Sequence, residues 1–186
     1  MEAMQYEVEQ KFPVADWAAV EAGLAGLGAT IRPPQTEVDC YFAHPARDFA
    51  QSDEALRLRR KGTAHLITYK GPKMDRATKT RREIELPLGE GDNTVVAWTS
   101  LLETLGFRPV AEVRKSRRKA LVAWQGRQVE VSLDAVAGVG DYCELELVVS
   151  PEELEPAKAC IAALAAVLGL AGSERRSYLE LLLSRM

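Results

Sequence analysis

Apolar and polar residues alternate with a period of two along much of this chain. In "YEVEQKF" (6–12), Glu7, Glu9 and Lys11 fall on one side of a strand, and Tyr6, Val8 and Phe12 on the other. The alternation returns in "TEVDCYF" (36–42), "EALRLRRK" (54–61), "HLITYKG" (65–71), "KTRREIELPL" (79–88), "AEVRKSRRKALVAW" (111–124), "RQVEVSLD" (127–134) and "YCELELVV" (142–149). Together these predict about eight strands, two of them joined by a tight hairpin turn at "WQGR".

Helical patterns punctuate the strands. Asp16 is a good cap for "WAAVEAGLAGLG", which stops at Gly28, and Asn93 for "TVVAWTSLLETLG", which stops at Gly106. Beyond Pro151, "EELEPAKACIAALAAVLG" and "SERRSYLELLLSRM" read as helices, the first with a start delayed by Pro156. Trp17, Trp98 and Trp124 sit in apolar stretches and read as core. Many strands with few helices between them favour an antiparallel sheet over a βαβ arrangement, and eight strands can close into a barrel that has no edges. The expected class is therefore α+β.

Composition adds mainly exclusions. With 186 residues the chain reads as one domain, 1–186, with C-terminal helices over 151–186. A net charge of −3 gives no bulk attraction for nucleic acid or an acidic membrane, so neither is expected as a partner. Cys40, Cys143 and Cys160 are odd in number and lack metal-site spacing, which points to a reducing, cytoplasmic setting. His44 and His65 are too few for a His-rich metal site and read as structural. The N-terminus does not resemble a signal peptide, and the apolar run 157–170 is too short to span a bilayer.

The charged sides of the strands are more informative. Arg57, Arg59 and Lys61 share a face, as do Thr68 and Lys70, and Arg81, Glu83 and Glu85. So do Lys115, Arg117 and Lys119, then Glu130, Ser132 and Asp134, then Glu144 and Glu146. An ordinary wet sheet face would mix in more Thr, Ser and Gln. Here acids and bases also segregate by strand: Glu7/Glu9, Glu83/Glu85 and Glu144/Glu146 against Arg57/Arg59 and Lys115/Arg117. At an effective dielectric of 20, two like charges 4 Å apart repel by about 4 kcal/mol, so such pairs need counter-charges. Acid pairs suit Mg²⁺ or Mn²⁺, and basic pairs suit a phosphate chain. A metal-bound triphosphate supplies both. The ionic faces would then look inward around a tunnel, with the apolar faces turned out under the helices.

At this point the motifs resemble a known family. "EVEQK" has the E-x-E-x-K form that opens the CYTH superfamily, the triphosphate tunnel metalloenzymes. "DCYFAHPARDFAQSDEALRLRR", "TYKGPK", "KTRREIE", "VRKSRR", "VEVSLDAVAGVGDYCELEL" and "RRSYLELL" follow in family order. The "YFAHPARDFAQSDEALRLRR" stretch and the closing "SYLELL" look most like the class IV adenylyl cyclase branch.

The resemblance implies a closed eight-stranded antiparallel β-barrel with helices packed outside and a divalent ion, Mg²⁺ or Mn²⁺, in its charged lumen. It implies Glu7, Glu9, Glu144 and Glu146 as metal ligands. Lys11, Arg57, Arg59, Lys70, Arg81, Lys115 and Arg117 would hold the phosphates, with Lys11, Lys70 and Arg117 also catalytic. Glu83, Glu85, Glu130 and Asp134 match lumen positions whose role, as ligands or as orienters of the basic residues, stays open. Ala120 departs from the pattern, since members often carry an aromatic residue there.

The implied activity is adenylyl cyclase-like, ATP to cyclic AMP and pyrophosphate. The alternatives are a tripolyphosphatase, a thiamine or nucleoside triphosphatase, or a non-catalytic polyphosphate-binding module. A homodimer is possible for the cyclase branch. "GPKMDRATK" (71–79) reads either as a lid carrying Lys73 or Arg76, or as a solvated loop. Either Ser177 and Tyr178 cap one tunnel mouth, or Tyr178 belongs with Leu179, Leu182 and Leu183 to the packed side of a terminal helix.

Overall fold

Each alternating stretch forms a strand: β1 (Tyr6–Pro13), β2 (Gln35–Ala43), β3 (Ala55–Lys61), β4 (Ala64–Lys70), β5 (Arg81–Glu90), β6 (Arg108–Trp124), β7 (Arg127–Val136) and β8 (Gly140–Val149). These come from a computed structural model that describes residues 5–74, 78–91 and 93–186. The strands are antiparallel and close into a barrel in the order β1-β5-β4-β3-β2-β6-β7-β8. β6 and β7 meet through Gln125 and Gly126, both at positive φ (47° and 76°), as a two-residue hairpin twisted to match its strands requires.

Val8 and Phe12 of β1, Val122 of β6, Val129 and Val131 of β7, and Leu145 of β8 point outward. They are covered by Leu24 of α1 (Trp17–Gly26) and by Ile161 and Leu164 of α4 (Leu154–Val167). A second outer cluster joins Phe42, Leu56 and Leu58 to Leu102 of α3 (Asn93–Thr104) and Phe49 of α2 (Phe49–Ser52). The core thus lies between barrel and helices, which leaves the ionic faces for the interior. Ala120 is buried in the outer core, so it has no stacking surface to lose.

Several expectations need correction. α4 begins at Leu154, after a 3-10 turn at Pro151–Glu153, so Pro156 lies inside its first turn, where a missing N–H costs nothing. Of "SERRSYLELLLSRM" only α5 (Tyr178–Leu183) is helical. The helices do not cover every apolar face: Ile84 and Leu86 on β5 are exposed. The three tryptophans are only half-buried at the rim of the outer clusters. The four-residue α2, capped by Asp48, carries no full turn of periodicity and was not anticipated.

α5 closes one end of the barrel. Tyr41, Val113, Val136 and Tyr142 occupy lumen-side positions by register, and Tyr178 and Leu181 pack into them. Its start is held by a reciprocal box, in which the Ser177 hydroxyl accepts from the Glu180 amide and the Glu180 carboxylate accepts from the Ser177 amide. Ser177→Ala is expected to cost about 1 kcal/mol in urea unfolding, the usual worth of such a cap.

A charged cavity inside the barrel

A cavity of about 780 Å³ occupies the barrel, within the size range of small-molecule sites. Its walls are the strand positions whose charge pattern singled them out. Glu7, Glu9, Arg57, Arg59, Lys70, Arg81, Lys115, Arg117 and Glu144 line it and are buried, while Lys11 and Asp134 are buried without lining it. Glu83, Glu130 and Glu146 are half-buried, and Glu85 is exposed at the rim of the same cavity. The interior is ionic because charges were built into it, and they are matched across strands far apart in sequence.

The first cluster joins β2, β3 and β6. Asp39 accepts two bonds from Arg59, at Nε (2.6 Å) and Nη2 (2.7 Å), and one from Arg57 Nη1 at 3.3 Å. Glu37 lies 3.3 Å from both Arg59 and Lys115. Burial disfavours the Glu37 carboxylate, but Lys115, Arg117 and Arg59 outweigh it and hold its pKa at about 2. Asp39 is also held well below the ordinary carboxylate range, its burial outweighed by Arg57, Lys115 and Arg59. Lys115 is pushed down to about 8 by burial and by Arg117 and Arg59. Glu37 and Asp39 went unrecognised as site residues, although their E-x-D spacing puts them on one face like the other acid pairs.

The second cluster joins β6, β7, β8 and α5. Arg117 forks onto Asp134, bonds Glu144, and so ties three strands together. The Tyr178 hydroxyl donates to Asp134 at 2.8 Å, and its ring lies under the Lys11 ammonium at 4.1 Å. Lys11 also donates to the Arg176 carbonyl. Burial first, and then the neighbouring Lys79, pull its pKa down to about 7. Tyr178 therefore plays both parts open to it, packed helix residue and wall of the tunnel end.

The third cluster runs along β1, β4 and β5. Lys70 bonds Glu7 at 2.8 Å and Glu83 at 2.5 Å. Lys79 precedes β5 and turns inward to Glu9 at 2.6 Å, while its amide donates to the Glu9 carbonyl. The sequence placed this residue both at the end of the 71–79 loop and at the start of the 79–88 strand, and the approach of β1 to that segment brings it inside. Lys73 bonds Asp53 (2.6 Å), a residue that lines the cavity, and Arg76 lies outside the described residues.

Two kinds of unmet charge remain. Glu146 stands directly opposite Glu9 on one side and Glu130 on the other, with no salt bridge among the described residues. Burial, together with Glu7, Glu9 and Glu130, pushes its carboxyl up to about 8. Conversely, Nε of Arg57 and of Arg81 are buried donors without a hydrogen-bond partner among the described residues. Buried donors are nearly always satisfied, so these point to an absent acceptor. Buried ion pairs add little net stability, and well-packed apolar residues would serve the fold at least as well. The lumen thus keeps unmet polar groups of both signs among its ion pairs.

The CYTH domain model matches residues 5–178, and the chain belongs to this family. A Methanocaldococcus jannaschii protein, MJ0240, whose name marks it as a candidate adenylate cyclase, is 35% identical over 144 residues, 77% of this chain and 78% of its own. Adenylate cyclase CyaB of Aeromonas hydrophila is 30% identical over 180 residues, 94% of this chain and 87% of its own. The PH1819 protein of Pyrococcus horikoshii has the same fold, with TM-score 0.84 and 37% identity over 97% of this chain and 99% of that one. No helix among the described residues is long and apolar enough to cross a membrane.

Proposed function

We infer that the chain is a divalent-metal-dependent enzyme on a triphosphate, of the class IV adenylyl cyclase type, converting ATP to cyclic AMP and pyrophosphate. The observation that carries the triphosphate reading is the pair of buried guanidinium donors, Arg57 Nε and Arg81 Nε, left unmet in a cavity that Lys70, Lys115 and Arg117 also line. The cyclase assignment rests on the names of relatives that match most of the chain.

The donor set fits a hard cation. Glu146 is crowded by carboxylates and makes no salt bridge among the described residues, Lys70 offsetting the crowding only in part, and a divalent ion relieves such repulsion. Among the described residues no three carboxylates are already gathered as ligands; Glu7, Glu9 and Glu144 are turned to Lys70, Lys79 and Arg117. Glu7, Glu9 and Glu146 would hold the ion, with Glu144 beside them. When bound, it neutralises phosphate oxygens and lowers the pKa of a coordinated nucleophile.

The chain's own residues do the rest. Arg57, Arg59, Arg81, Lys115 and Arg117 bind and orient the phosphate chain, with bidentate forks suited to phosphate oxygens. The ribose 3′-oxygen attacks the α-phosphorus, the bond to the bridging oxygen breaks, and pyrophosphate leaves with the bonding pair. Lys70 and Arg117 offset the charge that develops on the leaving group. Asp39, Glu37, Glu83 and Asp134 hold the bases in place.

Incubation with ATP and Mn²⁺, followed by chromatography, is expected to yield cyclic AMP and pyrophosphate in equal amounts. Orthophosphate without cyclic AMP would overturn the cyclase assignment in favour of water as the attacking group in the same cradle.

A further inference from the structure

Among the described residues, Lys79 is the one buried cation lining the cavity that has no part in the reaction above. Its Nζ lies 2.6 Å from Glu9 of β1 and 4.0 Å from Glu144 of β8, two carboxylates assigned to the ion and its surroundings. Three cations sit on that acid row in the ion-free protein: Lys70 on Glu7, Lys79 on Glu9 and Arg117 on Glu144. They differ in what each keeps if an ion takes its carboxylate. Lys70 keeps Glu83 at 2.5 Å, and Arg117 keeps the fork onto Asp134. Lys79 faces no carboxylate outside the row among the described residues.

A divalent ion and an ammonium group cannot share the Glu9 oxygens without strong repulsion at contact distance. The backbone of Lys79 stays in place, since its amide donates to the Glu9 carbonyl at 2.9 Å, but the ammonium is a point charge on a flexible four-carbon stem. Displaced from Glu9, it enters the cavity that it lines. Arg81 stands two residues on with the same parity, and its buried Nε has no hydrogen-bond partner among the described residues. We propose that Lys79 is an exchangeable counter-cation: it neutralises Glu9 in the ion-free protein and, once a divalent ion takes that carboxylate, moves to the phosphate chain beside Arg81. The ion thereby frees a phosphate-binding group, which couples the two binding events. The proposal rests on the reading of a metal-bound triphosphate above.

Labelling of wild-type protein with acetic anhydride, read at Lys79 by peptide mass spectrometry, tests the movement. Mn²⁺ alone is expected to raise the labelling rate about threefold or more, and tripolyphosphate added with Mn²⁺ to lower it again. Calorimetry tests the competition. Lys79→Met should bind Mn²⁺ about threefold more tightly in the absence of triphosphate and, at saturating Mn²⁺, bind tripolyphosphate about tenfold more weakly. Lys79→Arg keeps the charge and should shift each Kd by less than about twofold. Should Lys79→Met fail to fold, the labelling of wild-type protein decides. A labelling rate unmoved by Mn²⁺, Mn²⁺ bound no more tightly by Lys79→Met, or tripolyphosphate bound by it as by wild type overturns the exchange while leaving the triphosphate reading standing. Wild-type protein that binds neither Mn²⁺ nor tripolyphosphate overturns both.

Discussion

Asp39→Ala is expected to destabilise the protein by about 3–5 kcal/mol, the usual cost of removing one partner from a buried charge cluster. Asp39 is 1% exposed and is the shared acceptor of Arg59 and Arg57, with Lys115 at 3.8 Å. Without it three cations face one another around Glu37, with Glu83 and Glu85 reaching only Arg57 among them, both at 3.9 Å. The lost attraction is the smaller part of the cost; the larger part is the repulsion and desolvation left behind. Asp39→Asn keeps the shape and should lose nearly as much.

The same groups set the acid limit. Glu37 and Asp39 have folded-state pKa values below their unfolded ones, so their stabilisation is complete above about pH 4.5 and is lost as pH falls towards about 2. Urea unfolding at pH 7 and at pH 3 measures both effects: wild-type protein should weaken between them, and Asp39→Ala should weaken less. A loss below about 1 kcal/mol at pH 7 would mean that water screens the cluster as it does a surface pair.

Glu9→Gln should lower turnover about 10²- to 10³-fold, the range seen when one preorganised electrostatic partner is removed from a reaction centre. Glu9 is buried, holds Lys79 at 2.6 Å and stands opposite Glu146 across the β1–β8 ladder. The substitution keeps the shape and removes a charge from the crowded acid row. The Mn²⁺ concentration at half-maximal rate should rise about tenfold or more if Glu9 holds the ion, and saturating Mn²⁺ should not restore the rate. Turnover unchanged at saturating Mn²⁺ would remove Glu9 from the machinery, whereas tripolyphosphate binding with no turnover in wild-type protein would favour a binding module. Measuring tripolyphosphate binding alongside separates a lost cradle from a lost reaction.

What could be read without coordinates follows from locality. Alternation with period two is a property of neighbouring residues, so all eight strands were legible, and segregation of charge by strand showed which faces needed a partner. α2 was missed because it is too short to show a helical period. Glu37 and Asp39 were missed because "TEVDCYF" offers only one acid pair, flanked by residues that fit an ordinary surface strand. Lys79 shares the parity of Arg81 and Glu83, but it sits where the 71–79 loop and the 79–88 strand overlap, so it was not counted with them.

The chain's own order of residues determined that its strands have one ionic and one apolar side, because side-chain direction in a strand depends only on parity. Which acid meets which base was decided by barrel closure: Lys70 reaches Glu7 and Lys79 reaches Glu9 across 63 and 70 residues. Coulomb energy depends on distance in space, and those distances do not exist until the ends of the sheet have met.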